Sequence, residues 1–288
     1  MTLYVLFLVL SAAVLHACWN LISKKVNGKA PFIWLMYIAS TIIYLPVLVY
    51  HSYQNDDFHF SEPLIWFSVS SAIMHIAYFL ILQKGYREAD LSVVYPIARG
   101  SGPLLSSIGA ILVLRESFRY NIALGLFLIL AGVLVITGLQ FSKGSKKIKI
   151  GVFWGTLTGL FIALYTLNDA IAIKSYHLSP LLLTFSSNAI SIGLLLPFVI
   201  GQVGEIKREL IDHRWSIILI ALLSPAAYIL VLQALELAPL SVIAPARETS
   251  ILIGVFMGSK ALEEKDGKRR IVASVLILIG IVCLSLAN

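Results

Sequence analysis

The sequence predicts an all-α polytopic membrane protein of ten transmembrane helices, arranged as two inverted five-helix repeats. Three observations predict it. The apolar residues lie in blocks of about 20, the length a helix needs to cross a bilayer. Lys and Arg collect in alternate connections between those blocks. The second half of the chain repeats the first at an offset near 149 residues. Composition agrees: 59% of the 288 residues are hydrophobic and only 13% charged, about half the charge of an ordinary soluble domain.

The blocks follow in order. The first five are Thr2 to Ser23, Ala30 to Tyr50, Pro63 to Gln83, Leu91 to Leu114 and Tyr120 to Phe141. The second five are Ile150 to Ile173, Pro180 to Gly201, Trp215 to Leu235, Leu240 to Ala261 and Ile271 to Ala287. In lipid every backbone group must be bonded within its own segment, so each run is read as a helix. The first block lacks a basic leader and an A-x-A cleavage site, and it runs into Trp19, Asn20, Lys24 and Lys25, so it is read as a mature helix. Cys18 and Cys283 sit inside blocks without metal-ligand spacing and read as packing residues.

Charge sets the expected orientation. Lys24, Lys25, Lys29, Lys84 and Arg87 fall in odd-numbered connections, as do Lys143 to Lys149, Lys207 to Arg214 and Lys260 to Arg270. Only Arg115, Arg119 and Lys174 fall in even-numbered ones. Basic residues stay inside, which places both termini outside a cell (inner or plasma) membrane. The net charge of +7 is thereby assigned to lipid headgroups and not to nucleic acid.

The repeat is read from matches in order. YFLILQ at Tyr78 to Gln83 answers YILVLQ at Tyr228 to Gln233. Ser92 to Pro96 answers Ser241 to Pro245, Arg99 answers Arg247, and Glu116 answers Glu264. Lys25, Pro31 and Gly132 answer Lys174, Pro180 and Gly280. This divides the chain into a first repeat, 1–142, a basic cytoplasmic linker, 143–149, and a second repeat, 150–288. Five spans is an odd number, so the second repeat enters the membrane from the opposite face, as in many secondary transporters.

Certain motifs carry a family resemblance over the full length. They are His16-Ala17-Cys18-Trp19-Asn20, Tyr95-Pro96-Ile97-Ala98-Arg99-Gly100, Ala238-Pro239-Leu240-Ser241 and Ala244-Pro245-Ala246-Arg247-Glu248, with Glu116 and Glu264 after the fourth and ninth spans. On these the chain resembles the EamA-type branch of the drug/metabolite transporter superfamily. Arg115 and Asn20 depart from it, standing where similar proteins often have Gly. The resemblance implies ten helices around a central cavity, walled by the third, fourth, eighth and ninth spans. It implies no particular substrate.

Polar residues inside spans mark the candidate site, since each is costly in lipid. Arg99 and Arg247 lie about 12 Å deep at 1.5 Å per residue. Helical spacing puts Arg99 on a stripe with Ser92, Tyr95, Gly102 and Ser106, and Arg247 on one with Ser250, Gly254 and Gly258. The substrate-binding set is Arg99, Arg247, Tyr95, Trp19, Asn20, His75, Tyr78, Tyr165 and Tyr228. Asp169, Glu248 and His16 are candidates for proton coupling, with Asp169 alternatively in an interfacial pair with Lys174. Pro96 and Pro245 are candidate hinges or simple bends. Gly151, Gly155 and Gly159 form a double G-x-x-x-G that permits close helix approach within one chain, or in a dimer.

No G-x-x-x-x-G-K-[ST] phosphate loop and no H-E-x-x-H occur. The expected function is therefore not enzymatic, with no cofactor and no metal. It is a secondary carrier, an exporter working by alternating access, for a small amino-acid-like anionic or zwitterionic solute, with protons as a possible co-substrate and the monomer as the expected state. The rivals are a lipid-headgroup flippase or intramembrane enzyme using the same cavity, and a scaffold without transport.

Overall fold

A computed structural model describes residues 1–26, 28–55, 61–89, 91–137, 146–251, 253 and 267–286. Among these residues the chain is all helical. The helices are α1 (Leu3–Val26), α2 (Ala30–Asn55), α3 (Glu62–Glu88), α4 (Leu91–Val113), α5 (Tyr120–Thr137) and α6 (Lys146–Tyr176). There follow α7 (Pro180–Val199), α8 (Val203–Asp212), α9 (Arg214–Leu237), α10 (Leu240–Ala246) and α11 (Gly267–Ser285). Six of them, α1, α2, α3, α6, α7 and α9, are long and apolar enough to cross a membrane. Shorter apolar stretches run over Tyr120–Val135 in α5 and Val272–Leu284 in α11. Leu252, the end of the expected ninth span from Gly254 to Ala261 (Gly258 included), and Glu264 beyond it lie outside the described residues.

Local chemistry explains the ends. Ser61 caps α3, its Oγ accepting from the Leu64 amide at 3.3 Å, and Pro63 occupies the first turn, where a missing N–H costs nothing. Ser179-Pro180 opens α7 in the same order. The chain leaves α4 and α6 through left-handed residues, Arg115 (φ 54°) and His177 (φ 51°). The next amide then folds back, Glu116 to Ala110 O at 3.2 Å and Leu178 to Ala172 O at 3.1 Å. Glycine adopts this conformation without strain, whereas Arg115 and His177 carry a Cβ there.

The most extensive packing joins helices of the two halves: α4 with α6, α5 with α11, α3 with α6, α1 with α9 and α2 with α7. The G-x-x-x-G residues make the first of these seams. A Cβ on Gly155 would stand 2.9 Å from Val94 O, and one on Gly159 would stand 2.9 Å from the Gly102 amide. In the second seam Gly125 and Gly280 meet backbone to backbone, a Cβ on either lying 2.8 Å from the other's carbonyl oxygen. The outer surface carries large apolar side chains, and charged groups are buried within a core that is otherwise mainly apolar. Asp169, Glu248 and Arg247 are buried, while Ile42, Trp66, Leu112, Phe127, Phe153 and Phe198 are exposed. That distribution suits a hydrocarbon solvent.

Two features depart from a plain ten-span reading. The connection after α7 contains α8, whose apolar Val203, Ile206 and Leu210 are spaced along one face of an otherwise charged helix. The expected ninth span is not continuous. Its regular helix, α10, ends at Ala246, the chain turns at Arg247 and Glu248, and helix resumes at Thr249. At the turn the bonds shorten in register, Glu248 N to Pro245 O at 3.0 Å and Ser250 N to Arg247 O at 3.1 Å. Pro245, with no amide hydrogen, stands next to this break. α4, by contrast, runs unbroken through Pro96.

Candidate functional site

The break in the ninth element places two charged residues side by side in the interior. Glu248 is 1% exposed and Arg247 5%. Glu248 points across to α4, where its Oε2 lies 3.1 Å from Arg99 Nε. Arg99 Nη2 also donates to Ser250 Oγ at 3.2 Å, and the Tyr95 side chain hydrogen-bonds Arg99. One arginine is thus matched to an acid. Arg247 makes no ion pair within 4.0 Å among the described residues, although Glu248 lies within electrostatic range of it, and the Nε of both arginines has no hydrogen-bond partner there. An unmatched buried guanidinium costs several kcal/mol, and its fork of donors fits a carboxylate or phosphate in two-point fashion.

An aromatic wall stands within electrostatic range of Arg247: Tyr165, Tyr228, His75, Tyr78 and His16. His75 stacks on Tyr165 at 3.9 Å between ring centroids, with Tyr228 edge-on at 5.5 Å. Tyr78 meets Tyr165 at 5.9 Å. The His75 ring is steered by its own helix, Nδ1 lying 2.9 Å from Ser71 O.

Asp169 is wholly buried behind this wall and is held by neutral groups. Ser71 Oγ donates to Oδ2 at 3.0 Å, Asn168 Nδ2 donates to Oδ1 at 2.9 Å, and the Tyr228 hydroxyl donates to Oδ2. Ser70 fixes Asn168 in turn, its Oγ 2.7 Å from Oδ1. Lys174 turns away from Asp169 and lies 3.7 Å from Glu116. The acid facing an arginine is therefore Glu248, whereas Asp169 sits among dipoles.

The first-span candidates divide. His16 lies within electrostatic range of Arg99 and Arg247. Trp19 touches His16 edge-on at 4.9 Å and packs with Phe32, Leu35, Ile217 and Ile220. Asn20 is exposed and donates to His16 O at 2.9 Å on its own helix, so it does not join the cluster. Sequence reasoning missed Ser71, and it placed Ser250 on the Arg247 stripe without the bond to Arg99. Ser71 was detectable as a helical neighbour, four residues before His75. No group of His, Cys, Asp and Glu able to hold a metal occurs among the described residues.

Buried polar side chains inside a bundle of long apolar helices mark a multi-pass membrane protein. A family model, the EamA-like transporter family, matches twice, over residues 3–138 and 149–286, and the chain belongs to that family. No curated protein matches it. A solved crystal structure shares the fold with TM-score 0.75 at 13% identity, covering 99% of this chain and 98% of its own. At that identity the likeness speaks for the fold alone.

Proposed function

We propose that the protein is a secondary carrier exporting a small solute with an anionic group, such as an amino acid, by alternating access. Its ten spans would form two inverted repeats, residues 1–142 and 150–288 joined by a basic linker, in the cell membrane with both termini outside. It would act as a monomer, without cofactor or catalytic chemistry. The observation that carries this reading is the contrast at the broken helix: Arg99 is matched by Glu248, while Arg247 has no ion pair among the described residues. The solute's carboxylate or phosphate supplies the missing charge, and its body rests against Tyr78, Tyr165, His75 and Tyr228. Discontinuous helices at a bilayer midplane serve other carriers in this way.

Net pumping then needs an ion. Glu248 and Asp169 are the proposed proton carriers. A solute anion on Arg247 that also reached Arg99 would displace Glu248 from that guanidinium, so solute binding and protonation of Glu248 favour each other. The test is uptake of candidate amino acids and phosphorylated metabolites into proteoliposomes, with and without a pH gradient. Accumulation of an anionic or zwitterionic solute supports the reading. Preference for a purely cationic amine overturns it. Orientation is tested separately. Cysteines placed near Thr2 and Asn288 react with an impermeant thiol reagent outside intact cells, and one near Ser145 does not.

A further inference from the structure

We infer that Glu116 is a positioning residue that latches α10 and thereby closes one end of the solute path, an inference that rests on the carrier reading above. Glu116 lies in the connection between α4 and α5, and its side chain is 10% exposed. Both carboxylate oxygens are engaged by the first residues of α10. Oε1 accepts from the Leu240 amide at 2.7 Å, and Oε2 accepts from the Ser241 amide at 3.0 Å and its hydroxyl at 2.7 Å. Lys174, in the last turn of α6, closes the cluster, 3.7 Å from Oε1 and donating to Ala238 O at 2.8 Å.

The first amides of a helix have no partner within it. A local Ser, Asp or Asn ordinarily supplies one. Here the residue before α10 is Pro239, which has no side-chain acceptor. The cap comes from 124 positions away, from the other half of the chain. A cap supplied at a distance ties together three places, the connection after α4, the last turn of α6 and the connection after α9. All three fall on one face of the bundle, the face predicted to be external.

α10 is seven residues long and buried throughout, a strut of about 10 Å at the helical rise. Its far end is the turn bearing Arg247 and Glu248. Residues at or just after α4 therefore hold both ends, Glu116 at the start and Arg99 at the break. Separating α10 from α4 at the outer end must break the Glu116 contacts first. They are charge-assisted and shielded, but carried by one residue, so they can be made and broken as a unit.

The experiment uses purified full-length protein with Cys18→Ala and Cys283→Ala. A reporter, Ser250→Cys, stands beside Arg99; the native serine is 3% exposed. A second reporter, Ser187→Cys in α7, is buried at 8% and makes no contact with the latch. Labelling by a polar maleimide is timed for each. Glu116→Ala is expected to speed labelling at 250 about tenfold or more, with 187 unchanged. Ser241→Ala, removing one donor, speeds it two- to threefold, by roughly the loss of a single bond. Equal acceleration at both reporters would show general loosening and overturn the latch, as would an unchanged rate at 250. If Glu116→Ala does not survive purification, Glu116→Gln and Ser241→Ala make the same comparison. No solute is involved, so failure of the transport assay leaves this result standing.

Discussion

Arg99 and Arg247 occupy corresponding places in the two repeats, yet one is matched and the other is not. The difference traces to the next residue. Gly100 follows Arg99, and Glu248 follows Arg247. Because Arg247 and Glu248 lie on a turn, the acid reaches across to the arginine of the other half at 3.1 Å. Gly100 offers nothing in return, and a Cβ there would face Leu130 of α5 at 3.8 Å. A near-symmetric repeat thus yields an asymmetric site: place is inherited by symmetry, while charge balance is set by one substitution.

The largest expected effect tests whether Arg99 is the structural partner. Arg99→Gln strands Glu248 in the interior and should cost about 3–5 kcal/mol of stability, read by thermal or denaturant unfolding in detergent. Adding Glu248→Gln should restore most of it. A loss under about 1 kcal/mol would mean that Arg247 compensates Glu248 equally well, and the comparison would collapse. Next comes Arg247→Gln. Removing an unmatched cation should leave the unfolding midpoint unchanged or raised, while solute affinity falls roughly a hundredfold. A large loss of stability with unchanged affinity would reverse the assignment of the two arginines.

The buried acids extend the contrast, since Glu248 is held by a cation and Asp169 by dipoles. Tyr228→Phe removes one donor from Asp169 and should cost about 1.5–3 kcal/mol, with Ser71→Ala at the lower end of that range. No effect from either would place water where these hydroxyls stand. The smallest effect is Arg115→Gly, which relieves a left-handed residue and should add about 1 kcal/mol. It should leave solute affinity alone, because Arg115 only carries the chain from α4 to Glu116. A change in affinity would couple that turn to Arg247 and blur the separation between scaffold and site.

Much of this was legible in the residues themselves. Apolar runs located the helices, the repeat paired Arg99 with Arg247, and the glycine spacing of α6 foretold a tight seam. Tertiary choices were not legible. Asn20 and Asp169 correspond under the repeat, yet Asn20 is exposed and bonded to its own helix while Asp169 is buried among three donors. Spacing along one helix cannot report which neighbour lies opposite. On a regular helix Arg247 and Glu248 sit about 100° apart and need not share a face, so spacing alone left the partner of Glu248 open. The turn removes that constraint. α8 was hidden because Val203, Ile206 and Leu210 are diluted by Glu205, Lys207, Arg208 and Glu209.

The glycine seam between α4 and α6 bears on how such a molecule can move. At Gly155 and Gly159 the two helices approach so closely that an added Cβ would meet the Ile97 and Ser101 side chains and, at 2.9 Å, the Val94 carbonyl and the Gly102 amide. Two surfaces in such contact behave as a single beam. Any rearrangement that alters access to Arg99 must carry Asp169 with it, because both ride on that beam. Arg247, at the break in the ninth element, lies outside that seam, so the carrier proposed above would change state by altering the distance between the two guanidinium groups.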